Sequence, residues 1–262
     1  MRIPLYQVDA FTSRLFSGNP AAVCPLPEWL PDAVMQAIAA ENNLAETAFF
    51  APEKDGYLLR WFTPTVEVDL CGHATLASAY VILGRLEPER ERVRFRTRQA
   101  GTLTVSRSGD SLALDFPAYP PESCAVPAEL PTVLGKHPTE MQRCGARYLA
   151  VFEQPDEVAA LKPDLAALRG HCHGSLIVTA RGTGGVDFVS RFFAPGFGID
   201  EDPVTGSAHC VLIPYWAKRL GKTRLEARQI SPRGGALSCA LNGDRVAIAG
   251  RCVPYLEGTI TV

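Results

Sequence analysis

An internal repeat of about half the chain is the feature that most constrains how this sequence can fold. Residues 60–86 and 191–220 contain the same features in the same order: an Arg followed by aromatic residues and a Pro, an Asp before a Gly-containing turn, and an apolar segment that ends in Arg-Leu. From Gly72 and Gly206 onward the two copies stay in register at an offset of 134 residues. A repeat of this length predicts two similar domains, which we expect to face each other.

Each copy is centred on a segment that is apolar on nearly every side. Residues 73–84 and 207–217 contain no Lys, Arg, Asp or Glu. Helices of this composition are buried in a core rather than lying on a surface. Many short strand patterns surround both segments, so the sequence predicts an α+β fold. In each domain a curled sheet, or β-roll, wraps around one central helix, at about 73–84 and 207–220.

A concentration of prolines indicates where the first domain ends and the second begins. Five prolines fall between residues 117 and 131, which predicts a linker there. The expected N-terminal domain is therefore 1–116 and the expected C-terminal domain 132–252. Residues 253–262 form a last strand pattern that could return to the N-terminal domain.

Composition excludes several classes of function. The 262 residues carry a formal net charge of −2, which gives no electrostatic basis for binding nucleic acid or an acidic membrane. No stretch of about 18 consecutive apolar residues is present, and the N-terminus has no apolar signal region. The eight cysteines include no Cys-x-x-Cys pair, which favours reduced thiols and a cytoplasmic location.

The usual cofactor and hydrolase motifs are also missing. The glycines at 182–185 lack dinucleotide-binding spacing, and no Walker A motif occurs. Ser207 is not part of a Gly-x-Ser-x-Gly motif, so it is not expected to be a hydrolase nucleophile. His171 and His173 flank Cys172 beside two glycines, a pattern more typical of a loop than of a metal site. We therefore predict no metal and no cofactor.

The candidate site residues cluster at the starts of the two apolar segments, with one acid elsewhere. The first four N–H groups of a helix have no intrahelical partner, and the helix dipole favours an anion there. If both helix starts point into one cleft, they would bind a carboxylate. The candidates are Glu46, Gly72, His73, Ala74, Asp202, Gly206 and Ser207.

Each candidate also has a simpler structural interpretation. Glu46 alone is typical of a solvated surface acid, and His73 of a hydrogen-bonded residue in a first helical turn. Asp202 suits any helix N-terminus, and Cys71 suits an inert buried thiol. The equivalence of the two helix starts is the reason for preferring a functional interpretation.

Six motifs in order along the chain carry a resemblance to a known family. The sequence resembles the PhzF-like family of phenazine biosynthesis at residues 8–12, 18–21, 46–49, 70–75, 201–209 and 233–235. The resemblance implies the diaminopimelate epimerase fold, with two β-roll domains related by a pseudo-twofold axis and the active site between them. It also implies a homodimer.

By the same resemblance the protein would be a cofactor-independent isomerase acting on a small carboxylate, of the trans-2,3-dihydro-3-hydroxyanthranilate isomerase type. Glu46 would take a proton from C3 of the substrate and return it to the conjugated ring. His73 and Asp202 would hold or polarise the amino and hydroxyl groups. Backbone N–H groups around Gly72, His73 and Ala74, and around Gly206 and Ser207, would bind the carboxylate.

Two other functions stay open at this point. Amino-acid racemases of the same superfamily use two thiols, one from each half. Cys71 stands at the first of these places, but the position 134 residues later is Thr205, whose hydroxyl is far too weak an acid. A racemase or epimerase that pairs Glu46 with Cys71 or His73 remains an alternative. So does a non-catalytic small-molecule binding protein that kept the same cleft.

Overall fold

The chain forms two units in the computed structural model, which describes all of residues 1–262. The N unit contains residues 1–116 and 248–262, and the C unit contains residues 117–247. The chain end belongs to the N unit because Cys252–Thr261 pairs antiparallel with Arg2–Ala10 along almost its whole length. Its return to the N unit begins at residue 248, earlier than residue 253.

The N unit contains short strands on both sides of its central helix along the chain. Before the last strand its elements are β1 (Arg2–Ala10), β2 (Asn19–Pro25), α1 (Asp32–Asn42), β3 (Glu46–Glu53), β4 (Gly56–Phe62), β5 (Glu67–Val68), α2 (Gly72–Val81), β6 (Arg92–Arg96), β7 (Thr102–Ser108) and β8 (Ser111–Pro117). One π-helical turn, Ile82–Leu86, continues α2.

The sheet of the N unit wraps around α2. Strand β2 pairs with β1 and runs parallel to β3, β4 runs parallel to β6, and β6, β7 and β8 are antiparallel. Helix α2 contacts β1, β2 and β3. Every residue of α2 except Tyr80 is buried, as its apolar composition predicts.

The C unit repeats this plan with additional short elements. These are β9 (Glu122–Cys124), α3 (Leu130–Leu134), β10 (Glu140–Cys144), β11 (Arg147–Val151), α4 (Pro155–Ala160), α5 (Leu165–Leu168), β12 (Leu176–Arg181), β13 (Phe188–Ala194), β14 (Ile199–Asp202), α6 (Gly206–Leu220), β15 (Arg224–Gln229), β16 (Gly235–Asn242) and β17 (Arg245–Gly250). The chain then enters β18 (Cys252–Thr261) of the N unit. None of the helices combines the length and hydropathy that crossing a membrane requires.

The secondary structure contains the repeat that the sequence indicates. Helices α2 and α6 begin at Gly72 and Gly206, which are equivalent positions. The β7–β8 and β16–β17 hairpins turn at Gly109 and Gly243, also equivalent, with φ of 58° and 64°. Left-handed backbone of this kind favours glycine, so the repeated glycines have a conformational reason.

The proline-rich segment predicted as a linker is instead packed into the C unit. Strand β9 pairs with β10, and the N–H of Tyr119 donates to the carbonyl of Cys210 in α6 at 2.8 Å. That carbonyl needs a donor because Pro214, four residues later, has no N–H. The segment therefore supplies a hydrogen bond that α6 cannot make internally.

The same arginine–glutamate contact occurs in both units. Arg60 of β4 pairs through two nitrogens with Glu67 of β5, at 2.7 Å for both contacts. Arg191 of β13 pairs in the same way with Glu201 of β14, at 2.7 and 2.8 Å. Both guanidinium groups also lie over the phenyl ring two residues further along the strand. Two-point pairs of this geometry fix the short strand that precedes each central helix.

His209 is a fully buried histidine in the second turn of α6. Its Nδ1 donates to the carbonyl of Thr205 at 2.8 Å, and its Nε2 has no hydrogen-bond partner. Thr75, the equivalent residue of α2, donates to the carbonyl of Cys71. Burial lowers the pKa of His209 to about 4, so the folded protein holds this ring neutral near pH 7.

This depressed pKa predicts that His209 contributes to acid sensitivity. Between its ordinary pKa of 6.5 and about 4 the unfolded chain binds a proton that the folded chain does not, so the free energy of unfolding falls as pH falls. Between pH 7 and pH 4 the free energy of unfolding should therefore fall by about 3 kcal/mol less in His209→Gln than in the unchanged protein. Urea titrations at the two pH values measure this difference.

The exposed His137 provides the matched control, and His137→Gln should keep the acid sensitivity of the unchanged protein. If His209→Gln keeps it too, the proposed neutral state of His209 is wrong.

Candidate active site

Three side chains that can take part in acid–base chemistry lie close together in the N unit. Glu46 is the first residue of β3, Cys71 directly precedes α2, and His73 is the second residue of α2. His73 Nε2 lies 3.1 Å from Glu46 Oε2, and Cys71 Sγ lies 3.5 Å from Nδ1 of the same ring. Glu46 is thus no surface acid: its side chain is 12% exposed, and that of His73 is 4% exposed.

A fourth residue, Asn19, orients the histidine ring. It is the first residue of β2, is fully buried, and places Nδ2 3.0 Å from His73 Nδ1. When this amide donates to Nδ1, the proton of the neutral ring is on Nε2 and points to Glu46. The preceding Gly18 has φ of 68°, and a Cβ there would lie 2.2 Å from the carbonyl oxygen of Ala10. Only glycine permits this turn, which places Asn19.

We did not predict a role for Asn19. Its motif, Gly-Asn-Pro-Ala, is one of the six that carry the family resemblance. However, the contact with His73 joins residues 54 apart in sequence, which no local pattern reveals.

Charge favours an imidazolium–carboxylate pair here. Burial opposes the protonated ring of His73, but the contacts with Cys71 and Glu46 outweigh it and hold the pKa of His73 well above its ordinary value. Burial, reinforced by Glu46, raises the pKa of Cys71 to about 11, so its thiol is neutral near pH 7.

The predicted residues of the second helix start form a separate network in the C unit. Asp202 ends β14, and Thr205, Gly206 and Ser207 begin α6. The Thr205 hydroxyl donates to Asp202 Oδ2 at 2.5 Å. Gly206 is buried and Ser207 is half-buried. Neither α6 nor α2 has a side-chain cap at its N-terminus, so first-turn N–H groups remain there to bind an anion.

Gln229 of β15 anchors this network, and sequence reasoning missed it. Its Oε1 accepts from the Thr205 N–H at 2.8 Å, and its Nε2 donates to the Asp202 carbonyl at 2.7 Å and to Thr205 Oγ1 at 3.1 Å. Gln229 is 1% exposed, so water cannot replace these bonds. They fix the backbone on both sides of Pro203.

Comparison with known proteins decides the family. The sequence profile of the family described as phenazine biosynthesis-like protein, PhzC-PhzF, matches residues 8–258. The chain belongs to this family.

Similar proteins give the same fold and a class of reaction. A Pseudomonas aeruginosa protein described as an uncharacterized isomerase is 53% identical over 99% of both chains. The crystal structure of a PhzF family protein from Enterococcus faecalis is 46% identical, with a TM-score of 0.96 over 100% of both chains. A predicted epimerase from Pseudomonas aeruginosa, 19% identical, shares the fold over 99% of both chains with a TM-score of 0.73. The expected diaminopimelate epimerase-like fold is confirmed, and the chain is an enzyme of the isomerase class.

For this phenazine biosynthesis-like protein the predicted site residues thus fall into two groups. Glu46, Gly72, His73 and Ala74 lie together in the N unit, and Asp202, Gly206 and Ser207 lie together in the C unit. That both groups contact one substrate stays a prediction. His171 and His173 adjoin a short 3-10 turn, Cys172–Gly174, and His173 stacks on Tyr148, which fits the predicted loop.

Replacing Gln229 by Met tests the C-unit network, because Met keeps the length of the side chain and removes both polar groups. The buried N–H of Thr205 and carbonyl of Asp202 then lose their partners. We expect the free energy of unfolding to fall by about 3 kcal/mol, measured by urea denaturation.

Gln99→Met, at an exposed position, is the control and should change stability by about 0.5 kcal/mol or less. If Gln229→Met lowers the free energy of unfolding no more than Gln99→Met does, the hydrogen bonds of Gln229 contribute nothing to stability.

Proposed function

We propose that this protein is a cofactor-independent isomerase that transfers a proton within a small carboxylic acid, with chemistry of the trans-2,3-dihydro-3-hydroxyanthranilate isomerase type. The observation that carries the proposal is the state of Glu46. Its Oε2 is buried and, apart from the contact with His73 Nε2 at 3.1 Å, accepts no hydrogen bond. A carboxylate oxygen with an uncommitted lone pair is suited to accept a proton from carbon.

Glu46 acts twice in the proposed reaction. It first takes the proton from C3 of the substrate, and the electrons of the C–H bond enter the conjugated system. Glu46, now a carboxylic acid, returns the proton to another carbon of that system. The resulting enol becomes a ketone. No electron leaves the substrate, so the reaction needs no redox partner.

His73 supports this step through charge and position. Its raised pKa supports a cationic ring next to Glu46, where the cation holds the carboxylate in place by charge and contact. Protonation puts a second N–H on Nδ1, so Asn19 must then turn its amide oxygen toward the ring. Asn19 would thus follow the protonation state of His73.

The C-unit residues are proposed to bind the substrate. Asp202, fixed by the Thr205 hydroxyl, would accept hydrogen bonds from the amino or hydroxyl group. The N–H groups of Gly206 and Ser207, with those of Gly72 and Ala74, would bind the carboxylate, because uncapped helix starts favour anions. A homodimer is proposed from the family resemblance, and a cytoplasmic location from the eight free cysteines.

The chemistry of Cys71 argues against a two-thiol racemase. Its thiol is neutral near pH 7, since its pKa is raised to about 11. The equivalent position is Thr205, whose hydroxyl already donates to Asp202. A hydroxyl so engaged is a poor second acid.

Glu46→Gln keeps the shape of the side chain and removes the proton acceptor. We expect turnover to fall by at least about a hundredfold while substrate binding persists. The assay follows ultraviolet absorbance with trans-2,3-dihydro-3-hydroxyanthranilate, or with an acid identified by thermal shift from a panel of small carboxylates. Because Glu46 returns the proton that it removed, a substrate deuterated at C3 should carry its deuterium to the carbon that receives the proton.

Cys71→Ala serves as the comparison and should cost much less. If Glu46→Gln turns over at nearly the normal rate, Glu46 is not the base. If Cys71→Ala abolishes turnover and an optically active amino acid is inverted, the protein is a racemase instead.

A further inference from the structure

We propose that Glu46, Cys71 and His73 also form a binding site for one thiophilic divalent cation such as Zn²⁺, and that the bound cation reversibly inhibits the enzyme. The inference uses the same residues as the proposed function, so the inhibition rests on that function. The binding itself does not, and it is measurable without any substrate.

The three side chains are a suitable ligand set. One carboxylate oxygen, one sulfur and one ring nitrogen lie within 4.8 Å of one another. Zn²⁺ binds all three ligand types, and sites with three protein ligands leave the fourth position to water or substrate. Mg²⁺ and Ca²⁺ prefer oxygen ligands alone, so the sulfur and nitrogen favour a softer cation.

The distances need little adjustment. Tetrahedral Zn²⁺ with the usual bond lengths places its ligand atoms about 3.3–3.6 Å apart. Here His73 Nε2 lies 3.1 Å from Glu46 Oε2 and 4.0 Å from Cys71 Sγ. Shifts of a few tenths of an ångström bring these two pairs of atoms to coordination geometry. Side-chain rotation has to close the separation between the sulfur and the carboxylate oxygen, which is at most 4.8 Å.

Two further features indicate a ligand at this place. Apart from the contact with His73 Nε2, the buried Glu46 Oε2 accepts no hydrogen bond, so a cation would use a lone pair that the protein leaves free. Asn19 contacts His73 Nδ1, and its amide oxygen can accept a proton from that nitrogen once the amide turns. Metal-binding histidines usually donate their second N–H to such a partner, which leaves Nε2 free to coordinate.

The charges also balance. On binding, the cation displaces the proton of the Cys71 thiol and the proton on His73 Nε2, and both protons leave to solvent. The resulting thiolate and the Glu46 carboxylate together neutralise the divalent cation, which a buried site requires. The N-terminus of α2 opposes a cation through its dipole, but it carries only about half an elementary charge against two full ligand charges. A cation bound here occupies both the oxygen that would take the substrate proton and the nitrogen that faces it, which prevents proton transfer.

Titration of the full-length protein with Cd²⁺ tests the binding, because thiolate coordination produces a charge-transfer absorption band. We expect one high-affinity ion per chain. In Cys71→Ser the absorption band should disappear. In His73→Asn the affinity for Cd²⁺ should fall at least about a hundredfold, which exceeds the usual effect of losing a residue that only hydrogen-bonds to a metal ligand. Circular dichroism verifies that both variants are folded.

Cys144→Ser, at a half-buried cysteine of the C unit, is the control and should bind Cd²⁺ like the unchanged protein. A band that survives in Cys71→Ser, or the absence of a stoichiometric ion, would overturn the site.

Activity then separates the two proposals. Zn²⁺ should inhibit the unchanged enzyme and Cys144→Ser, and a chelator should restore turnover. The remaining turnover of Cys71→Ser should need at least about a hundredfold more Zn²⁺ for half-inhibition. If Cd²⁺ binds as expected but Glu46→Gln remains active, the proposed base fails and the cation site stands. If Glu46→Gln is inactive and no ion binds, the cation site alone fails.

Discussion

A helix that is apolar on all sides must be surrounded, and this requirement shapes both units. Nine of the ten residues of α2 are buried, and α6 is buried from Ala208 to Ala217. A flat sheet covers one face of a helix, so the strands have to curl around it. Because the sheet surrounds the rest of the helix, the polar N–H groups at the helix N-terminus lie at the edge of the core. His73 and Ser207 lie at these two N-termini.

The approach to each helix is fixed by charge rather than by apolar packing. Arg60 with Glu67, and Arg191 with Glu201, fasten the short strand before the helix to the sheet. Arg191 also donates to three carbonyls at the end of α4, so its guanidinium joins three segments. Half-buried pairs of this kind contribute more to a defined geometry than to net stability. Their benefit here is the placement of Cys71 and Asp202 at the helix starts.

The sequence was most informative where a pattern is local. Buried helices, hairpin glycines and the starts of α2 and α6 follow from periodicity and from the repeat, and Glu46 and His73 follow from the resemblance. Asn19 and Gln229 were missed because their contacts cross 54 and 24 residues of sequence. The packing of the predicted linker into the C unit was not foreseen, because prolines mark irregular backbone but cannot show whether it packs. The Tyr119 N–H donates to a carbonyl of α6 that is free because Pro214, nearly a hundred residues later in the sequence, has no N–H.

The pairing of β18 with β1 has a consequence for synthesis on the ribosome. Strand β1 is synthesised before the C unit, and its partner β18, which pairs at Ile260 with Ile3, is synthesised after it. One edge of the N-unit sheet stays open while the whole C unit is made. Open strand edges invite association with other chains. The nascent chain therefore carries an unpaired edge of β1 until β18 has been synthesised, and the pairing of β18 then closes that edge.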